Sequence, residues 1–412
     1  MADIAAFFLI EAWPPVPDLL FWVSATLVGG ALLGEAAFRG LRLPRIVGYS
    51  AAGMAVGAAG FGVVDGHLPR DARMVVDLAL ALLLFELGSR VSLRWLRANP
   101  ALLWTSAAES LVSFGAIFGV LHWLGVERNI ALACAALTAC ASGEVIGRVA
   151  TELKSAGQVT ERMIVLAALN TLFSVLALKL IIGWLHMDQR GDWVHGIAQP
   201  LYTFAGSVLL ALVLSQAIRW VIRGFELRDE NSVLLLLGMI LLALTAARMF
   251  SLSTLLVPLL AGVLLRNASE RPCIWPRHFG TAGGVLVLIL FVVLGSTWSI
   301  GTLAVNAVAA LALIAARYLA KTAVLLATAR IGGIDMRQGL ALGMALTPLS
   351  ATTLVLLAEL QATHPETASQ IAPIVLAAIA MMALTGPVVV QWGLRLTGDY
   401  RPRRLGAGKE RE

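Results

Sequence analysis

Apolar runs close to twenty residues long recur along this chain, separated by short segments that hold most of its arginine, acidic and proline residues. A helix of about twenty residues rises roughly 30 Å, the thickness of a bilayer's hydrocarbon core. Read by run and breaker, the pattern predicts helices near residues 18–39, 44–61, 71–91, 99–125, 128–152, 158–186 and 197–223. Six more follow near 231–247, 252–267, 280–296, 301–329, 336–361 and 369–396. The runs are rich in Leu, Ala and Gly and lack the period-two alternation of a membrane barrel. Helices pair every backbone group within the segment, as lipid demands. The expected fold is therefore an all-α polytopic membrane protein with thirteen transmembrane helices.

Composition removes the soluble alternatives. Of 412 residues, 59% are hydrophobic and 14% charged, and the mean hydropathy is +0.84, too apolar for a water-facing globule. The net charge of +6 does not indicate a nucleic-acid partner, because the bases fall in short loops instead of one patch. Their distribution instead orients the chain. With the N-terminus outside, 23 of the 31 bases fall on the cytoplasmic side, including Arg39, Arg42, Arg45, Arg90, Arg94, Arg97, Arg219, Arg223 and Arg228 and the tail arginines Arg401, Arg403 and Arg404. Arg70, Arg73, Arg128, Arg190 and Arg248 fall outside, while Lys179, Arg317 and Lys321 lie within spans. The expected location is the cell (inner) membrane, with the C-terminus cytoplasmic. Cys134, Cys140 and Cys273 form no Cys-x-x-Cys or His/Cys cluster, so neither disulfides nor a metal site are expected. No nucleophile–base pair or phosphate loop appears, so no enzyme activity and no cofactor are expected.

An internal repeat sharpens the class. Leu87-Gly88-Ser89, Ser92 and Leu96 recur 207 residues later as Leu294-Gly295-Ser296, Ser299 and Leu303. Ala52-Gly53 and Ala136-Leu137-Thr138 recur 209 residues later as Ala261-Gly262 and Ala345-Leu346-Thr347. The common offset divides the chain into a six-helix unit at 18–196, a connector helix and loop at 197–230, a second unit at 231–396 and a tail at 397–412. An odd number of spans between equivalents inverts one unit relative to the other, the architecture of secondary transporters. The fifth and twelfth spans carry matched interruptions, Ser142-Gly143 and Pro348, which predict two broken helices crossing near the midplane.

Several stretches together resemble the membrane domain of the Kef-type monovalent cation:proton antiporters. They are Leu43-Pro44-Arg45-Ile46-Val47-Gly48-Tyr49 with Ala52-Gly53, Leu82-Leu83-Leu84-Phe85, Ala261-Gly262, Thr385-Gly386-Pro387, and a helix with Lys321, Ala323 and Leu325 that ends in Ala329-Arg330. The resemblance implies a homodimer in a lipid bilayer that exchanges a monovalent cation for protons. It also implies a basic partner at Lys321. The family's acidic residue on the span after the first broken helix is replaced here by Leu169-Asn170-Thr171.

Which carboxylate takes that place is open between two readings of Glu144, which directly follows the Ser142-Gly143 break. As a cap, it satisfies unpaired backbone donors at a helix start. As a relocated carboxylate, it faces Asn170 and Thr171 across the crossing and binds either cation or proton, with Lys321 as its basic counterpart. The candidate site is thus Glu144, Asn170, Thr171, Ser142 and Glu109, with Lys321 as basic partner and helix breaks at Gly143 and Pro348. Asp77, Glu86 and Arg317 read as packing or ion-pair residues, and Lys179 as a side chain that snorkels. The favoured function is sodium or potassium exchange for protons; the other reading is a relative that carries an organic anion or acts as a membrane sensor.

Overall fold

A computed structural model describes residues 19–57, 70–190, 193–224, 230–268, 279–297, 300–349 and 351–399, and every element among them is helical. Cys273, Ser299, Arg228 and the tail arginines lie outside these residues. The helices are α1 (Leu19–Gly40), α2 (Arg45–Val56), α3 (Arg70–Ser89), α4 (Leu93–Ala98), α5 (Pro100–Trp123), α6 (Arg128–Thr138), α7 (Gly143–Glu152) and α8 (Gln158–Arg190). They continue as α9 (Trp193–Gly224), α10 (Glu230–Met249), α11 (Leu256–Ala268), α12 (Phe279–Ser296), α13 (Ile300–Ala329), α14 (Met336–Ala345), α15 (Ala351–Thr363) and α16 (Pro365–Thr397). Seven helical stretches among the described residues are long and apolar enough to cross a membrane, among them Pro100–Trp123, Gln158–Met187 and Pro365–Thr397. Shorter apolar helices, such as Leu256–Ala268 and Gly283–Ser296, stand beside them.

Local chemistry sets the ends. Pro44 precedes α2, and Pro100 and Pro365 occupy the first turns of α5 and α16, where the missing N–H costs no intrahelical bond. The Ser142 hydroxyl caps α7 by accepting from the Val145 amide at 3.3 Å.

Two close helix crossings explain the repeated glycines. A Cβ on Gly53 of α2 would collide with the Val292 carbonyl of α12, and one on Gly262 of α11 with the Phe85 carbonyl of α3. In the same crossings, Gly295 faces the Ser50 carbonyl and Gly88 the Leu259 carbonyl. Each contact in one crossing thus has its equivalent in the other, 207 to 209 residues away. Around the breaks, α5 packs against α13, and α14 against α13 and α16. Gly386 of α16 lets that helix approach Pro348, to which an added Cβ would stand 2.9 Å away.

The arginine-bearing turns gather at one end. The Arg45 amide donates to Glu152 at 3.1 Å, the Leu93 amide to the Asn267 side chain at 2.7 Å, and the Thr160 amide to Asp399 at 3.0 Å. Charges expected within spans find partners near the helix ends. Glu35 accepts from Arg39 and Arg45, Glu86 pairs with Arg90, and Asp77 with Arg248. Lys179 does not snorkel freely; it pairs with Glu359 of α15.

Candidate functional site

Helical structure stops after Thr138 and resumes at Gly143, and it stops after Ala345 and resumes at Ala351. The two interruptions touch, since the Ser142 amide donates to the Pro348 carbonyl at 3.1 Å. Each break strands carbonyl groups at the negative end of one half-helix and N–H groups at the positive end of the next. In an apolar interior both sets need partners.

Arg317 of α13 answers the carbonyls. Fully buried, it donates from Nε to the Thr347 carbonyl at 2.6 Å, and from Nη2 to those of Leu346 at 3.2 Å and Pro348 at 3.3 Å. It also donates to the Thr138 and Cys140 carbonyls of the other break. One guanidinium with five N–H donors is thereby shared by both broken helices, which a lysine's compact ammonium would not match. Sequence reasoning took Arg317 for an ordinary packing or ion-pair residue. The available signal was an arginine in the middle of an apolar span, one turn from Lys321, in a chain with two breaks.

Glu144 answers the opposite ends. Its carboxylate accepts from the Ser142 hydroxyl at 3.0 Å and from the Thr352 hydroxyl at 2.7 Å, so it bridges the first turns of α7 and α15. A negative charge is favoured where two helix N-termini converge. The expected grouping of Glu144 with Asn170 and Thr171 is not formed. The Asn170 carbonyl oxygen accepts from Ser110 at 2.9 Å and Ser106 at 3.5 Å, and the Thr171 hydroxyl donates to the Ala167 carbonyl of its own helix at 2.9 Å. The rotation of α8 turns Asn170 toward α5, away from the start of α7.

Lys321 is a basic partner as expected, and the acid it meets is Glu109, not Glu144. Lys321 of α13 pairs with Glu109 of α5 and donates to the Ala139 carbonyl at 3.2 Å, beside the first break. Ser113 donates to the bonded Glu109 oxygen at 3.3 Å. The other oxygen, Oε2, and the Asn170 side-chain amide nitrogen are both buried without a hydrogen-bond partner. Ser106, Glu109, Ser110 and Ser113 fall at helical spacing and form a polar stripe on α5, a signal readable in the sequence that the reading of single acids passed over. The result is a buried cluster of one carboxylate, one ammonium, one amide and three hydroxyls. It lies against the first break and has one carboxylate oxygen and one amide NH2 group to spare.

Comparison with known proteins agrees with this architecture. Residues 24–395 match the family described as sodium/hydrogen exchanger, transmembrane. Two solved structures of the sodium proton antiporter MjNhaP1 from Methanocaldococcus jannaschii share the fold. One, determined at pH 8, is 16% identical, has a TM-score of 0.65 and covers 92% of this chain and 95% of that one. The other, from electron microscopy, is 15% identical, has a TM-score of 0.69 and covers 94% and 100%. A protein described as iron transporter MagA from Paramagnetospirillum magneticum (strain ATCC 700264 / AMB-1) is 24% identical over 342 residues, 81% of this chain and 75% of that protein. With a family match that runs over nearly its whole length, this chain belongs to the transmembrane sodium/hydrogen exchanger family.

Proposed function

We propose that the protein exchanges a monovalent cation, sodium or potassium, for protons by alternating access, and that Glu109 is the carboxylate that takes either ion. The observation that carries this reading is the buried Glu109–Lys321 pair with Glu109 Oε2 left without a hydrogen-bond partner. A carboxylate at the membrane interior is costly unless paired, so it exchanges one neutralising partner for another instead of standing bare. With the site empty, Lys321 neutralises it. A cation entering with Asn170 and the Ser106, Ser110 and Ser113 hydroxyls as oxygen ligands displaces the ammonium, and a proton does the same by neutralising the carboxylate. Both cannot occupy it together, which couples the two fluxes. Glu144 and Arg317 serve as fixed charges at the half-helix ends.

The rest of the reading follows the Kef-type resemblance. It comprises thirteen spans in two inverted six-helix units, 18–196 and 231–396, joined by 197–230. The N-terminus and the 397–412 tail lie outside and inside the inner membrane, respectively, and the working unit is a homodimer. The matched glycine contacts of α2–α12 and α3–α11 support an internal symmetry of this kind.

The test is flux in liposomes that contain purified protein and a pH-reporting dye, under an imposed pH gradient. Sodium or potassium should dissipate the gradient. Absence of proton-coupled flux with sodium, potassium and lithium at acid, neutral and alkaline pH would overturn the proposal.

A further inference from the structure

At the arginine-rich end, a cavity of about 240 Å³ lies among α4, α5, α8, α13 and the turn that leads to α14. Most of its wall is apolar, including Trp95, Leu102, Leu166 and Leu325, and no acidic side chain lines it. Its charged group is Arg162, on the second turn of α8.

Arg162 is only 6% exposed, its Nε finds no hydrogen-bond partner, and it forms no ion pair among the described residues. The contrast with Arg317 is direct. Arg317 is fully buried and held by five carbonyls, whereas Arg162, almost as buried as a residue, has its Nε enclosed without a partner and lines the cavity. A cation withdrawn from water without acceptors is expensive, so a counter-charge at this place is strongly favoured. Gly332 leaves the guanidinium its room, because a Cβ there would stand 3.3 Å from Nη1.

We propose that this cavity binds a phosphate-class oxyanion on Arg162, with Asn99, Thr105 and Thr328 as the hydroxyl and amide groups around it. The planar guanidinium fork suits two oxygens of one phosphate. The same chemistry is offered by free phosphate and by the headgroup of an anionic phospholipid. The cavity lies directly beneath the exchange cluster. Thr105, Leu166 and Leu325 line it, and four residues away on the same helices, about 6 Å along each axis, stand Glu109, Asn170 and Lys321. A bound anion therefore neutralises Arg162 on the side from which a cation would approach. Binding itself does not depend on the exchange reading.

The experiment uses the full chain purified without phosphate. In one arm, inorganic phosphate is titrated at constant ionic strength while thermal unfolding is followed. In the other, protein in nanodiscs of phosphatidylcholine with phosphatidylglycerol is released into native mass spectrometry to count retained phosphatidylglycerol. Wild type should respond saturably in at least one arm, Arg162→Gln should weaken that response about tenfold, and Arg223→Gln, exposed on α9 and not among the lining residues, should leave it unchanged. A response to phosphate assigns free anion, and retention of phosphatidylglycerol assigns the lipid. Identical behaviour of wild type and Arg162→Gln in both arms would overturn the site. If Arg162→Gln does not fold, Gly332→Ala crowds the guanidinium and should weaken the same response. An electron-microscopy map of wild type in phosphatidylglycerol nanodiscs and phosphate buffer provides the last check: density on Arg162 supports the proposal, and a cavity holding only water overturns it.

Discussion

Glu109 and Lys321 stand 212 positions apart in the chain and meet as an ion pair in which both side chains are 0% exposed. Such a pair adds little net stability, because desolvation of two charges offsets most of their attraction. Ser113 and the Ala139 carbonyl satisfy part of its hydrogen-bonding capacity, and Glu109 Oε2 is left without a partner. An arrangement so weakly rewarded in stability fits the ion-handling role proposed for Glu109.

Glu109→Gln should abolish proton-coupled cation flux in liposomes. It also strands the Lys321 ammonium, a loss of about 3–5 kcal/mol for one broken buried pair. The double change Glu109→Gln with Lys321→Met removes both charges. It should recover most of that stability in thermal unfolding while flux stays absent. Flux near wild type in either variant would move the exchanged carboxylate elsewhere.

Glu144→Gln keeps the side chain's size and one carbonyl acceptor for the Ser142 or Thr352 hydroxyl. Flux should persist within a few fold, and stability should fall by about 1–2 kcal/mol from the lost charge at two helix starts. A folded Glu144→Gln protein without proton-coupled flux, together with an active Glu109→Gln variant, would return the exchange role to Glu144.

Arg317→Lys should behave as a severe lesion despite the retained charge. Three ammonium donors on one point cannot serve five carbonyls from two breaks, so several buried acceptors lose their partners at about 1–3 kcal/mol each. The expected readout is a large fall in the unfolding temperature in detergent and faster proteolysis at 139–142 and 346–349.

Gly53→Ala and Gly262→Ala should each destabilise by about 1–3 kcal/mol, because the new methyl group meets a backbone carbonyl that cannot rotate away. Gly29→Ala, where no atom lies within 4 Å of the new Cβ, is the matched control and should leave the unfolding temperature nearly unchanged.

The sequence by itself determined the helical membrane character and the places where two helices break. Apolar run length fixes the first, and the local backbone chemistry of Ser142-Gly143 and Pro348 fixes the second. It also exposed the repeated glycines, since close approach forbids a Cβ whatever the neighbour is. The tertiary structure decided which charges meet. Glu144 lies beside the break in sequence, yet its bonds run to Ser142 and Thr352. Glu109 lies far from the break in sequence, yet Lys321 joins it to the Ala139 carbonyl. Those partnerships depend on how α5, α8 and α13 are rotated about their own axes. A shift of one residue turns a helical side chain by about 100°, and in a chain this uniformly apolar only the packing of the neighbouring helices sets that angle.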